Sequence, residues 1–187
     1  MRFPHAPHRS LRRREPGQAL PLAAIVLVAL LALLTTAMEV QERFYQRQVV
    51  EDALQQATRS AAQSFRYEDF AANRSTFVVE SGTATRSGCA SAPAGSARAI
   101  ACHVFLVNLR AAARGLIDTP EQVAEQVSWT IYAGGSAQTC TFPHGRAPVT
   151  SSAPMVCASV RPRMVGLLGW GEWAPQLDAA DVLDRSQ

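Results

Sequence analysis

The sequence predicts an α+β protein in which one long N-terminal helix, transmembrane and then amphipathic, lies against a small antiparallel sheet. Three observations carry that expectation. Residues 19–38 are twenty in a row without a charge. Residues 39–66 contain neither Gly nor Pro and place Val50, Leu54, Ala57, Ala61 and Phe65 on one helical face. Beyond them, short β-prone runs alternate with Gly-, Ser- and Pro-rich segments, which is the pattern of strands joined by turns.

The apolar run is the first element. At 1.5 Å per residue, twenty residues span roughly 30 Å, the hydrocarbon thickness of a bilayer. Pro21 falls in the first turn, where a missing N–H costs little. Thr35 and Thr36 can return their hydroxyls to backbone carbonyls. Five arginines (Arg2, Arg9, Arg12, Arg13, Arg14) precede the run, whereas its other flank is balanced by Glu39, Glu42, Arg43 and Arg47. The positive-inside rule then places residues 1–18 in the cytoplasm as a basic leader and residues 67–187 outside as an extracytoplasmic α+β domain. A cleaved signal peptide is the alternative, with its cut after Ala37, but this apolar core is longer than the usual h-region and helical sequence continues past the cut. Glu39 and Arg43 form a favourable i, i+4 pair at the start of the extension. One helix from Leu20 to Phe65 would be roughly 70 Å long.

Charge excludes one class of function. The net charge is +3, every basic residue is Arg, and five of the 18 lie in the leader before Glu15. The remainder is near neutral, with no basic face for nucleic acid. Cysteine usage fits export. Cys89, Cys102, Cys140 and Cys157 all follow the apolar run, and an even count suggests two disulfides. Three pairings exist; Cys89–Cys102 and Cys140–Cys157 close the shortest loops and are favoured. Four unpaired cytosolic thiols are the alternative. No CxxC pair is present, so a zinc site is not expected.

In the exported part, residues 75–80 predict a strand and residues 81–97 a loop. Residues 97–114 predict a helix with Ile100, Val104, Val107 and Ala111 on its apolar face. Thr119-Pro120-Glu121-Gln122 reads as a capping box opening a short helix to Gln126. Residues 127–133 and 138–142, parted by Gly134-Gly135-Ser136, read as a hairpin. Residues 155–165 predict a strand that Pro162 would confine to an edge, and residues 174–182 a last strand. The total is three to five strands and two or three helices.

Chemical constellations are sparse. His5 and His8 lie in the leader, leaving His103 and His144; there is no HExxH, GxSxG, Walker loop or GxGxxG. Glu121 and Glu125 share a face of the short helix and read as solvated. Asp178, Asp181 and Asp184 recur every third residue but lack the density of a calcium loop. Asn73-Arg74-Ser75 matches a glycosylation acceptor. No catalytic residue, cofactor, metal or small-molecule substrate is expected. Trp170 and Trp173, in Gly-Trp-Gly-Glu-Trp, are candidate contact residues; a structural plug at the end of the sheet is the favoured reading of the pair.

The leader ending in Pro16-Gly17-Gln18-Ala19-Leu20, the apolar helix with its amphipathic extension, and the C-terminal VCASVRPRMVGLLGWGEWAPQLDAADVLD together resemble the type IV pilin-like proteins. The likeness is greatest to the TadE/TadG-like minor pseudopilins of the tight-adherence (Flp) pilus system. That resemblance implies a pilin-like fold and a single-pass, inner-membrane protein that builds a pilus or secretion apparatus. It also implies pilus or pseudopilin subunits as partners, with prepilin peptidase acting at Gly17–Gln18 as the candidate processing site. The chain departs from the pattern at the fifth residue after Gly17, where such substrates carry Glu and this sequence has Leu22. It also lacks the DxSxS motif of longer TadG-like proteins, so metal binding is not carried over. The other function the sequence supports is a singly anchored cell-surface binding module that recognises a ligand through its exported domain.

Overall fold

The computed structural model describes residues 19–64, 84–112, 114–142 and 147–183. The chain divides into two compact units, Met1–Met38 and Glu39–Gln187. Helix α1 (Ala19–Ala62) provides the described part of the first unit and continues into the second.

In the first unit every large apolar side chain from Leu20 to Leu34 is exposed. A helix apolar all round has to be buried in protein or in lipid, and among the described residues this stretch is not buried. By length and composition it is able to cross a membrane. The Thr35 and Thr36 hydroxyls donate to the Ala32 carbonyl at 3.0 and 2.7 Å. Two polar groups of the apolar stretch are thereby satisfied within the helix.

The second unit is the α+β domain. Val50, Leu54, Ala57 and Ala61 of α1 are buried in its core, as their helical spacing predicts, and Ala53 and Ala62 are buried beside them. Most of these residues are small, which lets α1 pack closely on its own domain; this stripe is therefore used internally. The helix ends at Ala62, three residues before the predicted end, where the Ser64 hydroxyl donates to the Ala61 carbonyl at 2.7 Å. Phe65 and the predicted strand at 75–80 lie outside the described residues.

Helix α2 (Ala97–Ala112) starts at Ser96, whose hydroxyl accepts from Ala99 N–H at 3.1 Å. Its buried face corrects the prediction. Ala97, Ala101, Phe105 and Leu109 face the core, whereas Val107 is 48 % exposed and Ile100 and Val104 are partly exposed. Two apolar stripes compete on this helix, and the one with Phe105 and Leu109 removes more area from water. Phe105 meets Trp129 edge-to-face, with ring centroids 6.4 Å apart. Helix α3 (Pro120–Gln126) has the predicted capping box: Thr119 Oγ1 accepts from Gln122 N–H at 3.3 Å and Gln122 Oε1 accepts from Thr119 N–H at 2.9 Å.

Four strands form one antiparallel sheet in the order β1-β2-β5-β8: β1 (Ala84–Ser87), β2 (Ser128–Tyr132), β5 (Met155–Val160) and β8 (Leu177–Val182). Period-two alternation splits its faces. Trp129, Ile131, Val156, Ala158, Val160, Leu177 and Ala179 join the core with the helices. Met155 and Cys157 face the other way, into a smaller cluster with Cys140.

Three strand expectations need correction. The 81–97 segment is not all loop, because Ala84–Ser87 pairs with β2; each residue there is polar or small, so no hydrophobic signal marked it. The segments 127–133 and 138–142 do not pair as a hairpin. β3 (Gln138–Cys140) pairs with β4 (Val149–Ser151), while β2 pairs with β1 and β5. The segment 155–165 is not an edge strand. β5 lies inside the sheet and stops at Val160, and Pro162 falls in the link to a separate short strand, β6 (Met164–Val165). Strand β6 pairs with β7 (Glu172–Trp173).

Candidate functional site

The most specific arrangement in the domain is built around Glu39, the first residue after the apolar run. Its side chain is buried, with the residue only 5 % exposed. Glu39 Oε1 accepts from Arg43 Nε at 2.9 Å, one turn along α1. Glu39 Oε2 accepts from the backbone N–H of Leu168 at 3.0 Å, 129 residues away in sequence. Arg43 also donates to the carbonyl of Trp170. The carboxylate is thus seated in the loop that joins β6 to β7, and the seat exists because Gly166 has no side chain. A Cβ there would fall 1.6 Å from Glu39 Oε1. The Leu168 N–H and then the Arg43 guanidinium hold the Glu39 carboxyl below its ordinary value of 4.5.

The loop is anchored to the domain as well. Val165 N–H donates to Gly115 O at 2.8 Å, Ile117 N–H donates to Arg163 O at 3.0 Å, and Met164 is fully buried. Gly115, at φ 69°, leaves room for the Gln46 side chain of α1. Arg163 bridges Glu172 at 2.9 Å and Asp118 at 3.7 Å across the base of the hairpin. Its tip turns at Gly169 and Gly171, both with positive φ.

The two candidate contact tryptophans separate here. Trp173 is partly buried against the core and helps line an apolar hollow of about 200 Å³ with Val40, Arg43, Phe44 and Arg47. Trp170 stands at the tip, 57 % exposed. The candidate processing residues Gly17 and Gln18 lie outside the described residues, as do His5, His8, Asn73, His144 and Asp184.

All four cysteines are paired, Cys89 with Cys102 and Cys140 with Cys157. The first disulfide ties the 88–96 loop to α2. Buried Arg98 braces that loop by donating to Gly88 O at 3.2 Å and Ser91 O at 2.7 Å. Glu125 Oε1 accepts from the N–H groups of Cys89 and Ala90 at 3.1 and 2.7 Å. The second disulfide clips the β3–β4 pair over the outer face of β5.

A cleft of about 740 Å³ opens beside the first disulfide, between α2 and α3, and its wall includes His103, Asp118, Glu121 and Glu125. Its carboxylates have structural partners. Glu121 pairs with Arg110 at 2.7 Å, and that hydrogen bond lowers its pKa; Asp118 faces Arg163, and Glu125 holds the 88–96 loop. Among the described residues no group of three His, Cys, Asp or Glu side chains could hold a metal ion. Asp178 accepts from Ser159 at 2.8 Å and Asp181 faces Arg59 at 3.4 Å, which gives both aspartates roles inside the fold.

Sequence reasoning found Glu39 as a partner of Arg43 but not of the distant loop. The available signal was a lone first acid after an uncharged run, together with a glycine in Gly-Leu-Leu-Gly whose lack of a side chain needed a reason. No family model matches the chain, and no curated protein or solved structure is significantly similar to it.

Proposed function

We propose that the chain is a membrane-anchored, pseudopilin-like structural component of a bacterial pilus or secretion apparatus. It acts by helix packing and subunit contacts, not by catalysis. The observation that carries this reading is α1 itself: an exposed, uncharged apolar segment that runs without a break into the helix forming the core of a small, twice disulfide-linked α+β domain. Such a helix suits a subunit held in the bilayer by one half and folded outside by the other. The arginines of the leader favour a cytoplasmic N-terminus, and two disulfides favour an oxidising compartment for the domain.

The packing of α1 narrows where partner subunits would bind. Its small-residue stripe from Val50 to Ala62 is taken by its own domain, which leaves the apolar 20–34 stretch for other transmembrane helices. Affinity purification of the full chain from membranes in mild detergent tests the reading. It predicts that pilus or pseudopilin-type subunits come down with the chain and are lost when residues 20–34 are replaced by an unrelated apolar sequence. Recovery of the chain alone, at native expression, contradicts it.

A further inference from the structure

The tip of the β6–β7 hairpin exposes three large apolar side chains in four residues: Leu167 at 60 %, Leu168 at 40 % and Trp170 at 57 %. A mobile loop could fold such groups away, but this hairpin is held. Its base carries the Arg163–Glu172 ion pair and buried Met164, its tip is closed by Gly169 N–H donating to Gly166 O at 3.1 Å, and its backbone is pinned by Glu39 and Arg43. A fixed apolar tip on a domain surface marks a contact site.

The pin also says what covers the tip. Leu168 donates its N–H to Glu39, and Glu39 directly follows the last residue of the uncharged run. The tip is therefore tied to α1 at the level of Glu39, the residue that follows the run. If residues 19–38 cross the bilayer, that level is the boundary between acyl chains and headgroups. The chemistry around it is that of the boundary: Leu and Trp at the tip, with exposed Val40, Phe44 and Tyr45 on the neighbouring turns of α1 and Arg43 and Arg47 among them. Trp and Tyr concentrate at this depth, and Arg stems lie along apolar surface while their heads reach phosphate.

We propose that the Gly166–Gly171 turn is a second membrane contact, with Leu167, Leu168 and Trp170 seated in the interfacial layer of the same bilayer that α1 crosses. It deepens the anchoring reading of the previous subsection and rests on it. The carboxylate of Glu39 positions the turn, so the domain is held to the lipid surface at two points instead of swinging on one helix.

The test uses the full chain in nanodiscs of phosphatidylethanolamine and phosphatidylglycerol, beside a Trp170→Phe variant. The difference between their emission spectra isolates Trp170 from Trp129 and Trp173. Trp170 is expected to emit to the blue of a water-exposed indole, to lose emission to lipids brominated near the glycerol end of the acyl chain, and to resist aqueous iodide. Ready quenching by iodide with no loss to brominated lipid overturns the proposal. So does shielding of Trp170 from both quenchers that disappears as discs are diluted to one chain each, because a second copy then covers the tip. Protease protection of residues 19–38 in the same discs reports on the anchor separately. Protection with an iodide-accessible Trp170 removes this inference alone; loss of protection removes the anchoring reading and this inference with it.

Discussion

Glu39 and Gly166 act as one unit, and the pair can be tested as such. The Cβ added by Gly166→Ala meets the end of a flexible carboxylate, not backbone, so the relief is to push Glu39 out of its seat. The penalty is then the loss of its bonds to Leu168 N–H and Arg43, the same loss that Glu39→Ala produces. Both single variants should lower the midpoint of thermal unfolding, and the double variant should be little worse than either. Additive shifts in a double-mutant cycle would show that the two residues act independently. Acid adds a second readout. The Glu39 carboxyl is depressed below 4.5 in the fold, so its contribution is complete above that value and is lost as pH falls through the lower folded value. Gly166→Ala should flatten that part of the stability–pH curve.

At the scale of elements, the face of α2 decides the core. Phe105 is fully buried against Trp129, and Phe105→Ala should cost about 3–5 kcal/mol. Val107 is half exposed, and Val107→Ala should fall within about 0.5 kcal/mol. Denaturant unfolding of the two variants would reverse that order if the stripe read from sequence were the buried one. The disulfides make a further prediction. Non-reducing digestion and mass spectrometry should recover peptides joining Cys89 to Cys102 and Cys140 to Cys157 and no crossed pair. Reducing either one should cost about 3 kcal/mol, from the loop-closure entropy returned to the unfolded chain.

These elements also show what could be read from sequence. The α1 stripe was legible because one helix face repeats Val50, Leu54, Ala57 and Ala61 without competition, and α3 was legible because its capping box is local chemistry. The α2 face was not, since two apolar stripes run along it and the choice depends on distant core residues such as Trp129 that Phe105 meets. Strand pairing failed for a related reason: Gly134-Gly135-Ser136 marks a turn, but only the whole sheet decides that β2 joins β5 and leaves β3 to β4. In the candidate site Trp170, Trp173 and the cysteines were found from residue type. The Glu39 seat joins residues 129 apart and leaves no local pattern.

For the whole molecule the central claim is that residues 19–38 stay on the mature chain and hold a folded, disulfide-linked domain at a membrane. Two features of α1 support it: its large apolar side chains from Leu20 to Leu34 are exposed among the described residues, and the helix continues unbroken to Ala62 as part of the domain core. Cutting the helix after Ala37 would leave the Glu39 seat one residue from a charged new N-terminus. The direct measurement is the N-terminus of the mature protein, by mass spectrometry of alkali-washed membranes, sheared surface material and medium. The account predicts a membrane-retained chain that still contains residues 19–38, beginning either in the leader or at Gln18 after prepilin-type processing. A soluble chain beginning at Met38 would contradict it and leave the domain as a secreted protein.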